Sequence, residues 1–102
     1  PNWIHSLDGI GGLLGHTMNL AKGHGIQSVM TIHDSIGVLA PQAEVMHQSV
    51  REATVDLFEK DLLENLALQL DLQLPSGVSL PSLPNRGRLN ISEVLSSKYY
   101  FN

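Results

Sequence analysis

The sequence contains no cysteine, which excludes disulfide bonds and thiolate metal sites. It also has few charges: charged residues make up 16% of the chain, and ten acidic residues against six Lys and Arg give a net charge of −4. This sign is opposite to that of a free-standing nucleic-acid-binding domain. Any nucleic-acid role must therefore come from a localised site and not from bulk charge.

The chain also lacks long apolar runs and two common cofactor signatures. No apolar stretch approaches the length that crosses a membrane, and no basic start followed by an apolar core marks a secretory signal. We therefore expect no membrane partner. Neither a Walker-type phosphate loop nor a dinucleotide-binding fingerprint is present, so candidate chemistry is confined to histidines and carboxylates.

What the chain does have is a globular composition, with 42% hydrophobic residues in a length of 102. That length allows one small domain at most, and the low charged fraction indicates faces that other protein covers. The chain starts with Pro1 and not with Met, so either it was processed or, as we expect, the natural protein begins upstream.

Apolar periodicity predicts an α+β fold that starts with a helix and a β-hairpin. Helical spacing covers residues 7–23, where Ser6 and Asp8 offer capping oxygens and internal glycines weaken the helix. Two β-branched runs at residues 26–32 and 36–40 are separated by a short polar turn. This arrangement predicts two antiparallel strands joined directly to each other.

The second half of the chain predicts helices and an irregular connection. A long amphipathic helix should cover residues 42–59, and the leucines of residues 62–74 fit either a helix or a strand, with their four-residue spacing favouring a helix. A Pro- and Gly-rich connection follows over residues 75–87, and a short helix is predicted at residues 91–95. Three aromatic residues in the final four, residues 99–102, predict a docked C-terminus.

The hairpin turn carries the main chemical candidate, the pair His33-Asp34. Templated phosphoryl transfer commonly uses two divalent ions about 3.5 to 4 Å apart, which are held by carboxylate oxygens. One carboxylate cannot hold two ions, so this interpretation requires a second metal-binding aspartate outside the chain. Alternatively, the pair is only the polar turn that any hairpin needs. The turn by itself leaves both interpretations open.

Ordered segments along the whole chain resemble the single-subunit RNA polymerases of the bacteriophage and mitochondrial type. Pro1–Gly9 resembles the family's Pro-Asn-aromatic-aliphatic-His-Ser-x-Asp motif, and Ile32–Ser35 resembles its aliphatic-His-Asp-Ser turn. Val50-Arg51-Glu52 is similar to the family's Val-Arg-Glu, and Pro84–Ile91 is similar to its Pro-x-x-Gly-x-Leu-x-Leu segment. Tyr99–Asn102 resembles its aromatic-rich terminus. The order of these segments also fits the family.

The resemblance implies roles for the residues at matching positions. Asp34 would be a catalytic metal ligand, the second of two palm aspartates that bind two Mg²⁺ ions, and His33 would support the site at the primer or product end. His5 would lie near the ribose of the incoming nucleotide and help to sense its 2′-hydroxyl, which distinguishes RNA from DNA. Phe101 and Asn102 would form a C-terminal foot.

The resemblance further implies that residues 1–102 are the C-terminal palm segment of a larger DNA-directed RNA polymerase. Residues 1–6 would lie at the junction of fingers and palm, residues 26–40 would form the catalytic hairpin, and residues 99–102 the foot. The full enzyme would bind a DNA template, the RNA product and nucleoside triphosphates, in host cytoplasm for a phage protein or in the organelle matrix for a mitochondrial one. The isolated chain should be inactive and should bind Mg²⁺ weakly or not at all.

Two other functions stay open at this point. A family A DNA polymerase also places His-Asp at a palm hairpin, although a glutamate usually follows the pair there and Ser35 does here. A non-catalytic interaction module, or one subunit of a split polymerase, would suit the low charge and the leucine-rich stretch from Leu62 to Leu74.

Overall fold

A computed structural model describes residues 1–100 of the chain. The fold is α+β, as predicted, with helices around one two-stranded antiparallel sheet. The elements are α1 (Asn2–Asp8), α2 (Leu13–Gly23), β1 (Val29–Ile32), β2 (Ser35–Val38), α3 (Ala43–Phe58) and α4 (Leu62–Asp71). Two 3-10 turns, Ala40–Gln42 and Ile91–Ser96, precede α3 and follow the irregular connection.

The prediction of one helix over residues 7–23 is wrong, because two helices occupy this region. α1 starts at Asn2, so Ser6 lies inside it and its hydroxyl donates to the Trp3 carbonyl at 2.6 Å instead of capping a later helix. Three of the four residues between α1 and α2 are glycines, and each costs a helix about 1 kcal/mol relative to alanine. The chain therefore turns there, and His5 stands on a short helix of its own.

Glycine is required where the two helices meet. A Cβ atom on Gly12 would overlap the Leu7 carbonyl oxygen, and one on Gly15 would overlap the Ile10 carbonyl oxygen. Only hydrogen atoms fit at these two close approaches. The glycines thus set the angle between α1 and α2, which in turn sets where the side chains of α1 point.

The hairpin is confirmed, with strands shorter than predicted. β1 and β2 pair in a register that runs from Val29 opposite Val38 to Ile32 opposite Ser35, so the turn consists of two residues. Ile26, predicted to start the first strand, is buried, and its amide donates to the Ala21 carbonyl at 2.9 Å. The Ile26 amide therefore donates its hydrogen to α2 and not to a carbonyl of a neighbouring strand.

The core lies between α2, α3 and one face of the hairpin. Its buried cluster has two residues from α3, one from α2 and one from the loop before β1: Met46, Val50, Ala21 and Ile26. Three half-buried hairpin residues pack against it, namely Val29, Ile36 and Val38. The hairpin is therefore held from one side by helix α3, which confirms the long helix predicted there.

The remainder of the chain is less covered. α4 is a helix, as preferred over a strand, but it ends at Asp71, and Leu72 beyond it is 88% exposed. The predicted short helix at residues 91–95 is a 3-10 turn, with the Asn90 side chain accepting from the Ser92 amide at 3.2 Å. Within residues 1–100, no helix is both long and apolar enough to cross a membrane. The foot residues Phe101 and Asn102 lie outside the described residues.

Candidate functional site

A cleft of about 570 Å³ brings together residues from α1, α2, the hairpin turn and α3. Its polar lining consists of His5, Asp8, Thr17, His33 and Asp34. The apolar part of the lining comes from Leu13, Leu14, Ile36 and Val50. Three of the residues singled out in the sequence, His5, His33 and Asp34, therefore share one concave surface.

The hairpin turn presents Asp34 to this cleft. Because Ile32 pairs with Ser35, His33 and Asp34 are the two central residues of a tight turn. His33 has φ of 54°, in the left-handed region where residues other than glycine are uncommon. Such a conformation costs about 1–3 kcal/mol and is concentrated at functional sites. The pairing of β1 with β2 imposes this conformation and places the exposed Asp34 at the tip of the hairpin.

Helix α1 contributes the opposite wall of the cleft. His5 and Asp8 are three residues apart, so they share one face of this helix. The sequence predicted Asp8 as a helix cap and as part of a motif, but it closes α1 and caps no helix, and its place in the cleft was missed. Its three-residue spacing from His5 was the available signal, but that signal depends on α1 being helical, which was not predicted.

Thr17 forms part of the floor and was also missed. It is 1% exposed, and its hydroxyl has no hydrogen-bond partner among residues 1–100. A buried hydroxyl without a partner carries a cost of about 1–3 kcal/mol. Helical periodicity alone gave no reason to separate Thr17 from the other residues of α2.

The electrostatic character of the cleft comes from two carboxylates and two imidazoles. Within residues 1–100, no ion pair engages His5, Asp8, His33 or Asp34. No three His, Asp or Glu side chains in that same part of the chain are grouped closely enough to hold a metal ion. Asp34 can thus offer one carboxylate ligand, whereas Mg²⁺ takes about six oxygens.

Asp34 also lines a second cleft on the other side of the turn. This cleft of about 670 Å³ lies between β2 and the first half of α3, and Glu44 and His47 are its other ionisable residues. The carboxylate of Asp34 therefore stands between two concave surfaces. An extended ligand could contact Asp34 from either side.

Comparison with known proteins decides the family. The family model for DNA-dependent RNA polymerase matches residues 1–78. This chain belongs to that family. The polymerase segment is 39% identical over 104 residues to mitochondrial DNA-directed RNA polymerase 1 of Arabidopsis thaliana, and this match covers 100% of the chain and 10% of the relative.

Two tobacco relatives support the same assignment. DNA-directed RNA polymerase 1A of Nicotiana tabacum is 37% identical over 105 residues, with 100% of the chain and 63% of the relative covered. The chloroplastic DNA-directed RNA polymerase 3B of the same plant is 36% identical over 105 residues, again with 100% of the chain but 10% of the relative. The polymerase segment thus spans about a tenth of the length of most of these relatives, and the predicted resemblance is confirmed.

Proposed function

We propose that this chain is the C-terminal palm segment of a phage-type DNA-directed RNA polymerase and carries half of a two-metal site. The observation that carries the proposal is the cleft where His5 of α1 meets the His33-Asp34 turn. The full protein would extend RNA on a DNA template. The 3′-hydroxyl oxygen would bond to the α-phosphorus of a nucleoside triphosphate, and pyrophosphate would leave.

Asp34 is the proposed metal ligand of this segment. Its negative charge, its exposure and its place at a constrained turn suit a hard divalent cation. Bound Mg²⁺ would stabilise the charge on the attacking and leaving oxygens. The second carboxylate would come from the larger part of the polymerase that this segment does not match. His33 would support the primer or product end from the same turn.

His5 is the proposed contact to the incoming nucleotide. Its imidazole can donate or accept one hydrogen bond from each ring nitrogen, which suits a ribose hydroxyl. Asp8, on the same helix face, lies where it would contact the same nucleotide. Phe101 and Asn102 remain a prediction from the resemblance, as the C-terminal foot.

The proposed partners are a DNA template, the RNA product and nucleoside triphosphates. With a net charge of −4, the segment cannot attract a phosphate backbone by bulk charge, so the remainder of the polymerase would supply the basic channel. The Arabidopsis and tobacco 3B relatives are named as mitochondrial and chloroplastic, respectively. We therefore propose an organelle matrix as the working location.

The test is a substitution of the metal ligand in the full-length protein. Asp34→Asn keeps the size of the side chain but removes its charge, and we expect RNA elongation on a primed DNA template to fall at least about a hundredfold. The matched control is Asp56→Asn on the exposed face of α3, which should stay within about twofold of the parent. Near-normal elongation by the Asp34→Asn variant would overturn the proposal.

The same assay separates the alternatives. A family A DNA polymerase would prefer deoxyribonucleotides in this reaction, whereas the proposed enzyme should prefer ribonucleotides. A non-catalytic module would show no effect of Asp34→Asn on any templated synthesis. The relatives, which are named as RNA polymerases, favour the preference for ribonucleotides.

A further inference from the structure

Residues 91–100, here called the C-terminal segment, are joined to α3 by two long-range hydrogen bonds. The Arg51 guanidinium donates from Nη1 to the Val94 carbonyl at 2.7 Å. The Thr54 hydroxyl and the Tyr100 hydroxyl are 2.8 Å apart. Both α3 residues lie within the stripe that this helix buries, with Arg51 4% and Thr54 2% exposed. Residues 91–100 are therefore attached to α3 by two polar side chains that are buried.

The direction of the bond to Tyr100 follows from the second partner of Thr54. The Thr54 hydroxyl has one hydrogen, which it donates to the Val50 carbonyl one turn earlier at 2.9 Å. Tyr100 must then donate to the lone pair of the Thr54 oxygen. Without the Tyr100 hydroxyl, the oxygen of Thr54, a residue that is 2% exposed, would lose a hydrogen-bond partner.

Tyr100 also packs against the cluster that supports the hairpin. The buried cluster of α2 and α3 includes Val50, and both Tyr100 and Ile36 of β2 pack on that cluster. Val50 and Ile36 line the same cleft as Asp34. A chain of contacts thus leads from the C-terminal segment through α3 to the turn.

We propose that Arg51 and Thr54 are positioning residues, which hold the C-terminal segment on α3 so that Tyr100 backs the core beneath the hairpin and fixes where Asp34 stands. Neither residue touches the substrate in this role. The inference rests on the proposed function, because it takes Asp34 as a metal ligand. Loss of the Thr54–Tyr100 bond should loosen the support of Asp34 and weaken its hold on Mg²⁺.

The experiment measures the Mg²⁺ concentration for half-maximal RNA elongation in the full-length protein. We expect Thr54→Val and Tyr100→Phe each to raise it by up to about fivefold, the value reached when the whole free energy of one lost hydrogen bond appears in Mg²⁺ binding, with a smaller change in rate at saturating Mg²⁺. The double variant should be no worse than Thr54→Val, because the two substitutions remove the same bond. Thr54→Ser keeps the hydroxyl and should behave like the parent.

Tyr99→Phe is the matched control, because Tyr99 is 82% exposed and precedes Tyr100 directly. It should leave the Mg²⁺ dependence unchanged. If Thr54→Val does not fold, Tyr100→Phe tests the same bond without opening a cavity. Unchanged Mg²⁺ dependence in Tyr100→Phe, together with an inactive Asp34→Asn, would overturn this inference and leave the proposed function intact. An active Asp34→Asn variant would overturn both.

Discussion

Replacement of Gly15 by alanine should destabilise the chain, although alanine is the better helix former. Gly15 lies in the first turn of α2, and an added Cβ would overlap the Ile10 carbonyl oxygen and lie 2.9 Å from its carbon. Both atoms belong to backbone, so no side chain can rotate to make room. The segment between α1 and α2 would have to shift.

The magnitude follows from two opposing terms. Overpacking against well-fixed neighbours costs up to about 3 kcal/mol, and the helix propensity of alanine returns about 1 kcal/mol. We therefore expect Gly15→Ala to lower the free energy of unfolding by about 2 kcal/mol. Gly23→Ala, at the last residue of α2, is the control, because its Cβ would meet nothing within 4 Å. It should be neutral or stabilising by about 0.4–1 kcal/mol.

Urea unfolding of the 102-residue chain provides the assay. Trp3 is the chain's single tryptophan and lies in α1, so its fluorescence reports on the helix that Gly15→Ala displaces. With a slope of about 2 kcal/mol per M urea, the expected loss moves the midpoint down by about 1 M. If Gly15→Ala proved as stable as Gly23→Ala, with the native Trp3 emission unchanged, the close approach of the two helices would be refuted.

Two further predictions concern the site. In the full-length protein, His5→Ala should lower the preference for ribonucleotides over deoxyribonucleotides about tenfold, because a hydrogen bond to the 2′-hydroxyl is lost, and His5→Gln should lose less. Competition between the two nucleotide types in one elongation reaction measures this ratio, and an unchanged ratio would remove His5 from the site. The isolated chain should synthesise no RNA and bind Mg²⁺ on the order of 10⁻³ M by calorimetry, since one exposed carboxylate supplies few ligands; submicromolar binding would contradict an incomplete site.

The sequence predicted the helices and strands that form from local apolar patterns. The hairpin, α3 and α4 were recognisable because β-branched runs and four-residue apolar spacing follow from strand and helix geometry. The error at residues 7–23 has a different origin. Glycines weaken a helix, but their presence does not predict whether the helix is interrupted. The interruption here occurs where Gly12 and Gly15 lie close to the backbone of the preceding segment. That contact is not visible in any periodicity.

Some residues of the candidate site were likewise predicted from the sequence, and others were not. Resemblance and spacing identified His5, His33 and Asp34, which share the cleft in the structure. Asp8 and Thr17 were missed, because their place in the cleft depends on how α1 and α2 are oriented. The hydrogen bonds of Arg51 and Thr54 to the C-terminal segment were missed as well, since buried polar residues in an amphipathic stripe do not reveal their partners.

The sequence by itself determined the family, the hairpin with its His33-Asp34 turn, and the helices α3 and α4, because motifs and backbone preferences act over a few residues. Only the tertiary structure decided what faces Asp34. His5 lines the same cleft as Asp34 because the glycines between α1 and α2 let the chain turn, and the core of α2 and α3 holds the hairpin in place. Such meetings depend on packing between distant segments, whose energies are properties of the whole fold and not of any one stretch.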